Sequence, residues 1–304
     1  MKLFECQHCG QLLYFENTRC ERCDHRLGYL YDRSMLSALT AEGGDRWRAL
    51  AAAGEAFRFC SNAVHDACNW LVPAERPDVF CRACRLNRTI PDLGVAGNQL
   101  LWQRLESAKH QLVYGLLRLG LPVVSRFDDA DRGLAFDFLA GSGAMFQEGP
   151  QVVTGHAQGL ITIDIAEADD VERERHRRDM AEPYRTLLGH FRHEIGHHYW
   201  QQLVRDGVWH GAFREMFGDE SRDYGAALEA HYANGPRPGW QEHYVSGYAG
   251  AHPWEDFAET WAHYLHIVDT LETADAYGLR IHPKVGRKPV LEMAIDFDPY
   301  RQGD

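Results

Sequence analysis

The chain has 304 residues, 45% hydrophobic and 25% charged, with a formal net charge of −12. This is ordinary for a globular protein and leaves room for two or three domains. The acidic balance disfavours non-specific nucleic-acid binding, which needs cationic surface to displace counterions; no run approaches ~18 uninterrupted apolar residues, which disfavours a membrane span.

In chain order, the first feature is a cysteine framework. All eight cysteines lie within the first 84 residues, and MKLFECQHCG reaches two of them before an apolar leader can form. Cys6-x-x-Cys9 is followed ten residues later by Cys20-x-x-Cys23. A C-x-x-C turn points two thiolates at one ion, and two such turns complete a tetrahedron. Gly10 follows the first pair, where a tight knuckle favours a residue without a side chain. Disulfides are the competing reading, but with no export signal the expected compartment is the cytoplasm, which keeps thiols reduced. The second group, Cys60, Cys68 and Cys81-x-x-Cys84, also has the count for a four-cysteine zinc site, with His65 able to replace one ligand. The alternative is one C-x-x-C beside two buried free cysteines. Residues 46–60 read as a short helix, 69–80 as a proline-bearing loop and 85–93 as an extended exit from the module. So small a module buries little core, so metal would supply its folding free energy directly.

Residues 98–121 form an amphipathic helix, with Leu101, Leu105, Ala108, Leu112 and Leu116 on one face. GLITIDIAEA (159–168) alternates, with Ile161, Ile163 and Ile165 on one face, and reads as a half-buried strand. It is a candidate edge for an extended substrate, or simply a structural strand. Residues 168–182 are a charge run on a solvated connection.

Residues 182–207 have a helical period, with Pro183 suited to the first turn and Gly207 to the end. Leu187, Phe191, Ile195, His198 and Gln202 share a stripe. Within this helix His193, Glu194 and His197 spell H-E-x-x-H. Histidines four apart project from one face, and Glu194 lies beside them where it can reach a metal-bound water. A polar helix face with surface histidines matches the same letters, but the uncharged flanks Phe191, Ile195 and Tyr199 suit a buried helix. Residues 234–240 are a loop. From Trp254 a second helix begins, with Phe257, Trp261, Tyr264 and Leu265 on its apolar side and Glu255 and Glu259 four apart. Buried carboxylates need cationic partners. A zinc site supplies them, with one glutamate as third ligand and the other accepting a hydrogen bond from a ligating histidine. Spacing leaves Glu255 and Glu259 undecided. His243 and His252 are further candidates, while His190 and His198 read as packing or supporting residues. A third ligand in the pattern H-E-x-x-H-x-x-G-x-x-H is excluded by Trp200 and Leu203.

These stretches resemble bacterial zinc-binding metallopeptidases with an N-terminal zinc ribbon. The matching residues are CQHCG…NTRCERCDHRLGY, NAVHDACNWLVP, CRACRLNRTIPDL, HEIGHHYW and YAGAHPWEDFAETWAHYL. The resemblance implies an α+β chain: a zinc-ribbon module over 1–95 with two four-cysteine zinc sites, then a zincin-like, mainly helical metallopeptidase domain with a small sheet over 96–304. The second helix also resembles the gluzincins of the anthrax lethal factor type, in which a ligand glutamate starts E-x-x-A-E and a tyrosine lies seven residues earlier. Here those are Glu255, Glu259 and Tyr248. That likeness implies Glu255 as ligand, Glu259 as its supporting carboxylate and Tyr248 as oxyanion stabiliser.

The reading that follows is a peptidase with one catalytic and two structural zinc ions, in which Glu194 is the general base for water attacking a peptide or protein substrate. A zinc-ribbon adaptor on an inactive zincin scaffold is the alternative, though a scaffold has no use for the base. A zinc-ribbon nucleic-acid binder comes third because of the charge.

Overall fold

The computed structural model describes residues 2–141, 155–170, 173, 186–282 and 293–301. Two compact units are present: Met1–Arg85 with Val113–Pro122 and Ile267–Asp304, and Leu86–Leu112 with Val123–His266. Their helices and strands make an α+β chain.

In the first unit, β1 (Phe4–Glu5) and β2 (Leu12–Leu13) form a short antiparallel hairpin. Strands β3 (Arg26–Leu30), β4 (Met35–Gly43), β5 (Arg46–Ala49), β6 (Ala56–Phe59) and β7 (Leu71–Pro73) follow as an antiparallel meander in sequence order. The meander curls back on itself, since Tyr29 in β3 bridges Trp70 just ahead of β7. Gly28 permits this, because a Cβ there would lie 2.6 Å from the Leu71 side chain. Leu30, Leu39, Ala49, Ala52, Phe57 and Leu71 pack together as this unit's core cluster.

The expected helix at 46–60 is two strands instead. Trp47 pairs with Phe57 across β5 and β6, and the alanine run lies in the turn between them, ended by Gly54 at φ 85°. Aromatic residues paired across strands outweigh the helix propensity of the alanines. The proline-bearing stretch is also partly strand. Leu71 and Val72 are buried in β7, and Pro73 is tolerated because that strand is terminal in the sheet.

The second unit is built on a four-stranded sheet in the order β10–β11–β9–β8, comprising β8 (Asn87–Thr89), β9 (Ala135–Leu139), β10 (Gly155–Ala157) and β11 (Leu160–Asp164). β9 is parallel to both β8 and β11, while β10 runs antiparallel to β11. Ile161 and Ile163 are buried as the alternation predicts, and Ile165 continues their burial into a 3-10 turn at Ile165–Ala168. β11 is not an edge, however. β10 covers it, so the terminal strand among the described residues is β10.

Helix α1 (Asn98–Arg118) runs as predicted, with Leu105, Ala108, Leu112 and Leu116 buried. Within this unit it carries a fully buried ion pair, Lys109 to Glu106 at 2.8 Å, and the ammonium lies over the faces of Phe136 and Phe138. Helix α2 (Leu187–Tyr199) passes into a π-helical turn at Trp200–Val204. The turn seats Trp200 and Val204 against Phe213 of α3 (His210–Phe217), with Phe217, Trp254 and Phe257 around them. Helix α4 (Tyr224–Asn234) is capped by Asp223, which accepts from the Ala226 amide at 2.9 Å.

Helix α5 spans Pro253–Ala276, ten residues past the predicted stretch. Phe257 and Trp261 pack inward, but Tyr264 is 45% exposed, so the apolar side is narrower than the sequence suggested. Pro183 and most of the 168–182 charge run lie outside the described residues. No described helix is long and apolar enough to cross a membrane.

Candidate active site

Two helices make the site, and a glycine sets their separation. Thr186 caps α2 by accepting from the Gly189 amide at 2.9 Å. Seven residues on, Gly196 faces α5 so closely that a Cβ would lie 2.9 Å from the Ala258 Cα. Small residues at the crossing let the backbones approach, so side chains on either side of it converge. Tyr199 stacks on Trp261 with ring centroids 5.2 Å apart and fixes the pair.

His193, His197 and Glu255 converge, their ligand atoms all lying within 4.8 Å of one another. Glu255 is fully buried; its Oε2 lies 3.1 Å from His193 Nε2 and its Oε1 3.6 Å from His197 Nε2. A tetrahedral ion with bonds of about 2.0–2.2 Å places its ligand atoms ~3.4 Å apart, so these spacings fit one. The 3.1 Å contact is close without being a hydrogen bond: Oε2 is a buried oxygen with no hydrogen-bond partner. A buried carboxylate oxygen left unpaired is costly unless a cation meets it.

The partners of the other atoms fix the orientation. Glu259 Oε1 accepts from His193 Nδ1 at 2.7 Å, which leaves the Nε2 lone pair facing Glu255. Glu255 Oε1 accepts from the Tyr224 hydroxyl at 2.6 Å. Burial raises the Glu255 pKa, but the facing imidazoles of His193 and His197 outweigh it and hold the carboxyl well below its usual range. Burial likewise lowers the His193 pKa, and the facing glutamates outweigh it and raise it well above the ordinary value. A field that favours a proton on His193 favours a metal cation at the same place.

The Glu194 carboxylate is buried on the same helix, its Oε1 3.2 Å from His190 Nε2. Burial raises its pKa, but the His190 hydrogen bond and the charges of His190, His193 and His197 bring it to about 2. His190 Nδ1 donates in turn to Glu167 Oε2 at 2.6 Å. Burial lowers the His190 pKa, while the charge and hydrogen bond of Glu167 outweigh it and set it at about 9. The Tyr248 ring lies 6.0 Å from that of His193 and 5.5 Å from that of His231, with its phenol pKa raised by burial.

None of the other candidate third ligands, Glu259, His243 and His252, joins the group among the described residues. His252 is used otherwise: its Nδ1 accepts from the Trp254 amide at 3.1 Å at the start of α5, so its Nε2 carries the hydrogen that faces the Arg222 carbonyl at 3.2 Å. Three residues around the site had no spacing signal pointing to them. These are Tyr224, Glu167, and His156 of β10, whose ring stacks 6.0 Å from His197.

In the first unit the cysteines form two further groups, Cys6, Cys9, Cys20 and Cys23, and Cys60, Cys68, Cys81 and Cys84. None of the eight is joined in a disulfide. The Sγ separations are 3.7 Å for Cys6 to Cys23, 3.6 Å for Cys9 to Cys20 and 3.7 Å for Cys68 to Cys81. Zn–S bonds of about 2.3 Å give tetrahedral edges of ~3.8 Å, so both groups fit zinc. The first uses two matching knuckles: the Gly10 amide donates to the Cys6 carbonyl at 2.9 Å and the Asp24 amide to the Cys20 carbonyl at 2.8 Å, with φ of 71° and 58°. The second is buried throughout, and backbone amides donate to its sulfurs, Trp70 to Cys68 and Cys81 to Cys60 at 3.3 Å each. His65 takes no place in it among the described residues.

The fold and the three donor groups define a zinc-binding class of protein with a ribbon-like N-terminal region. The chain belongs to the family described as "Putative zinc-binding metallo-peptidase", whose model matches residues 98–304, and a zinc-ribbon domain model matches residues 3–95. Uncharacterised proteins of Mycobacterium bovis and of two Mycobacterium tuberculosis strains are 44% identical over 281 residues, covering 92% of this chain and 77% of theirs. No solved structure matches.

Proposed function

We propose that the chain is a zinc-dependent peptidase of gluzincin type, with one catalytic and two structural zinc sites. His193, His197 and Glu255 would hold the catalytic ion, and the two four-cysteine groups the structural ions. The observation that carries this reading is the buried Glu255 carboxylate, whose Oε2 has no hydrogen-bond partner and lies 3.1 Å from His193 Nε2 while its Oε1 lies 3.6 Å from His197 Nε2, both near tetrahedral-edge distances. When bound, zinc supplies a Lewis acid that lowers the pKa of water to about 7 and polarises a carbonyl.

The chain's own residues do the rest. Glu259 fixes the His193 ring and its tautomer. Glu194, ionised and buried on the same helix face, takes the proton of the attacking water and returns it to the departing amine. Tyr248, beside His193, donates to the oxyanion. An extended peptide substrate adds to β10, whose His156 stands next to His197.

Two measurements test the reading together: zinc per chain by elemental analysis, and cleavage of a peptide library by the zinc-loaded protein. Three zinc ions with cleavage that Glu194→Gln abolishes support it. Zinc at the His/Glu site without cleavage under any condition favours the adaptor alternative, and a value near one zinc removes the two cysteine sites.

A further inference from the structure

The peptidase reading uses Glu194 but leaves unused the two buried groups behind it. His190 lies one turn before Glu194 on α2, the spacing at which helix side chains meet. Its Nε2 is 3.2 Å from Glu194 Oε1, and its Nδ1 is 2.6 Å from Glu167 Oε2. Both neighbours are carboxylates, which only accept hydrogen bonds when ionised, so the ring serves both by carrying a hydrogen on each nitrogen. Glu167 is buried and held in turn. It sits in the 3-10 turn leaving β11, where Asp164 accepts from the Ala166 amide at 2.9 Å and sets the turn.

We infer that His190, tethered by Glu167, is the positioning residue that aims Glu194. A glutamate has three rotatable side-chain bonds, and a general base must keep one oxygen within hydrogen-bond reach of the proton it takes. With Oε1 engaged by His190, Oε2 is the oxygen left to take the proton. The aim is set from the sheet: β11 places Glu167, Glu167 fixes the His190 ring, and the ring fixes Glu194. A carboxylate–imidazolium–carboxylate chain also lets the base remain ionised although buried, because the cation beside it offsets the lost solvation. This inference rests on the reading of Glu194 as general base. It adds two residues with a role distinct from metal binding, since neither belongs to the ligand group among the described residues.

The test uses the full chain loaded with zinc, in two arms. The first reads the downfield proton resonances of the two His190 ring N–H groups. Glu194→Gln should shift the Nε2–H resonance and leave Nδ1–H in place, and Glu167→Gln should do the reverse. An Nε2–H resonance unmoved by Glu194→Gln overturns the proposal whatever the activity. The second arm reads kcat and KM on a peptide found by library cleavage. His190→Ala should lower kcat about 10- to 100-fold, with KM within about twofold and zinc content unchanged. His190→Gln, whose amide can donate to Glu194, should regain part of the loss. Wild-type kcat in His190→Ala, or a loss explained by missing zinc, overturns the positioning role while the peptidase reading stands. If the wild type cleaves nothing, the peptidase reading falls, and the resonance arm alone decides whether His190 holds Glu194.

Discussion

Cys60, Cys68, Cys81 and Cys84 present four sulfurs in a buried group, whereas His193, His197 and Glu255 present three donors, one fewer than a tetrahedral ion takes. Both meet the spacing that a tetrahedral ion demands. They differ in how the donors are held. Sulfurs are fixed by the backbone, through tight knuckles and amide hydrogen bonds. Imidazoles and carboxylate are fixed by other side chains, Glu259 and Tyr224 among them. A donor set closed by backbone suits a structural role, and one held by side chains can be tuned for chemistry.

The largest effect should come from breaking the closed set. Structural zinc contributes about 10–16 kcal/mol of binding free energy that is also folding free energy. Cys81→Ser should therefore lose one zinc per chain and lower the thermal midpoint of the first unit, read by native mass spectrometry and calorimetry. Retention of the full zinc complement would break the comparison, because the group would not then depend on four sulfurs. The open set should respond differently. Glu194→Gln should keep every zinc and lower kcat by about 10²–10⁴-fold. Loss of zinc along with activity would mean that Glu194 holds the ion and not the water.

The two tyrosines near the site sharpen the contrast between holding the ion and using it. Tyr248 lies beside His193 and touches no ligand oxygen by hydrogen bond among the described contacts, while Tyr224 donates directly to Glu255. Tyr248→Phe should lower kcat on the order of 10²-fold with zinc affinity unchanged. Tyr224→Phe should weaken zinc binding first, as measured by chelator competition. Interchanged results would reassign the oxyanion donor to Tyr224.

What the sequence made legible follows the same division. Donors close in the chain were readable: the paired C-x-x-C turns, His193 and His197 one helical turn apart, and Glu255 with Glu259. Local spacing sets these, because a helix or a knuckle fixes where neighbours four or three residues apart will point. Contacts that depend on long-range pairing were not. Tyr224 reaches Glu255 across 31 residues, and Glu167 reaches His190 across 23. The fold corrections come from hairpin pairing instead: the alanine-rich stretch is β5 and β6 because Trp47 pairs with Phe57, and β11 is no edge because β10, just before it in the chain, pairs with it. Tyr264 was placed on the apolar side by period alone, but that side of α5 is set by what packs against it.

The finest test of the comparison is Glu259. Its carboxylate accepts from His193 Nδ1 at 2.7 Å, so it sets the ring's orientation and the basicity of the nitrogen that faces Glu255. Glu259→Gln retains an oxygen acceptor and removes the charge, and should weaken zinc binding at the His/Glu site by about 10-fold; Glu259→Ala removes both and should reach about 100-fold. Competition with a chelator of graded affinity reads both values, and the cysteine-bound zinc serves as an internal control. Neither Glu259 substitution touches the amides of Trp70 and Cys81 that donate to the sulfurs of Cys68 and Cys60, so that zinc should stay put. Equal weakening at all three sites would mean that Glu259 acts on folding as a whole. Selective weakening graded from Gln to Ala would mean that the catalytic centre is held by side chains, one hydrogen bond at a time.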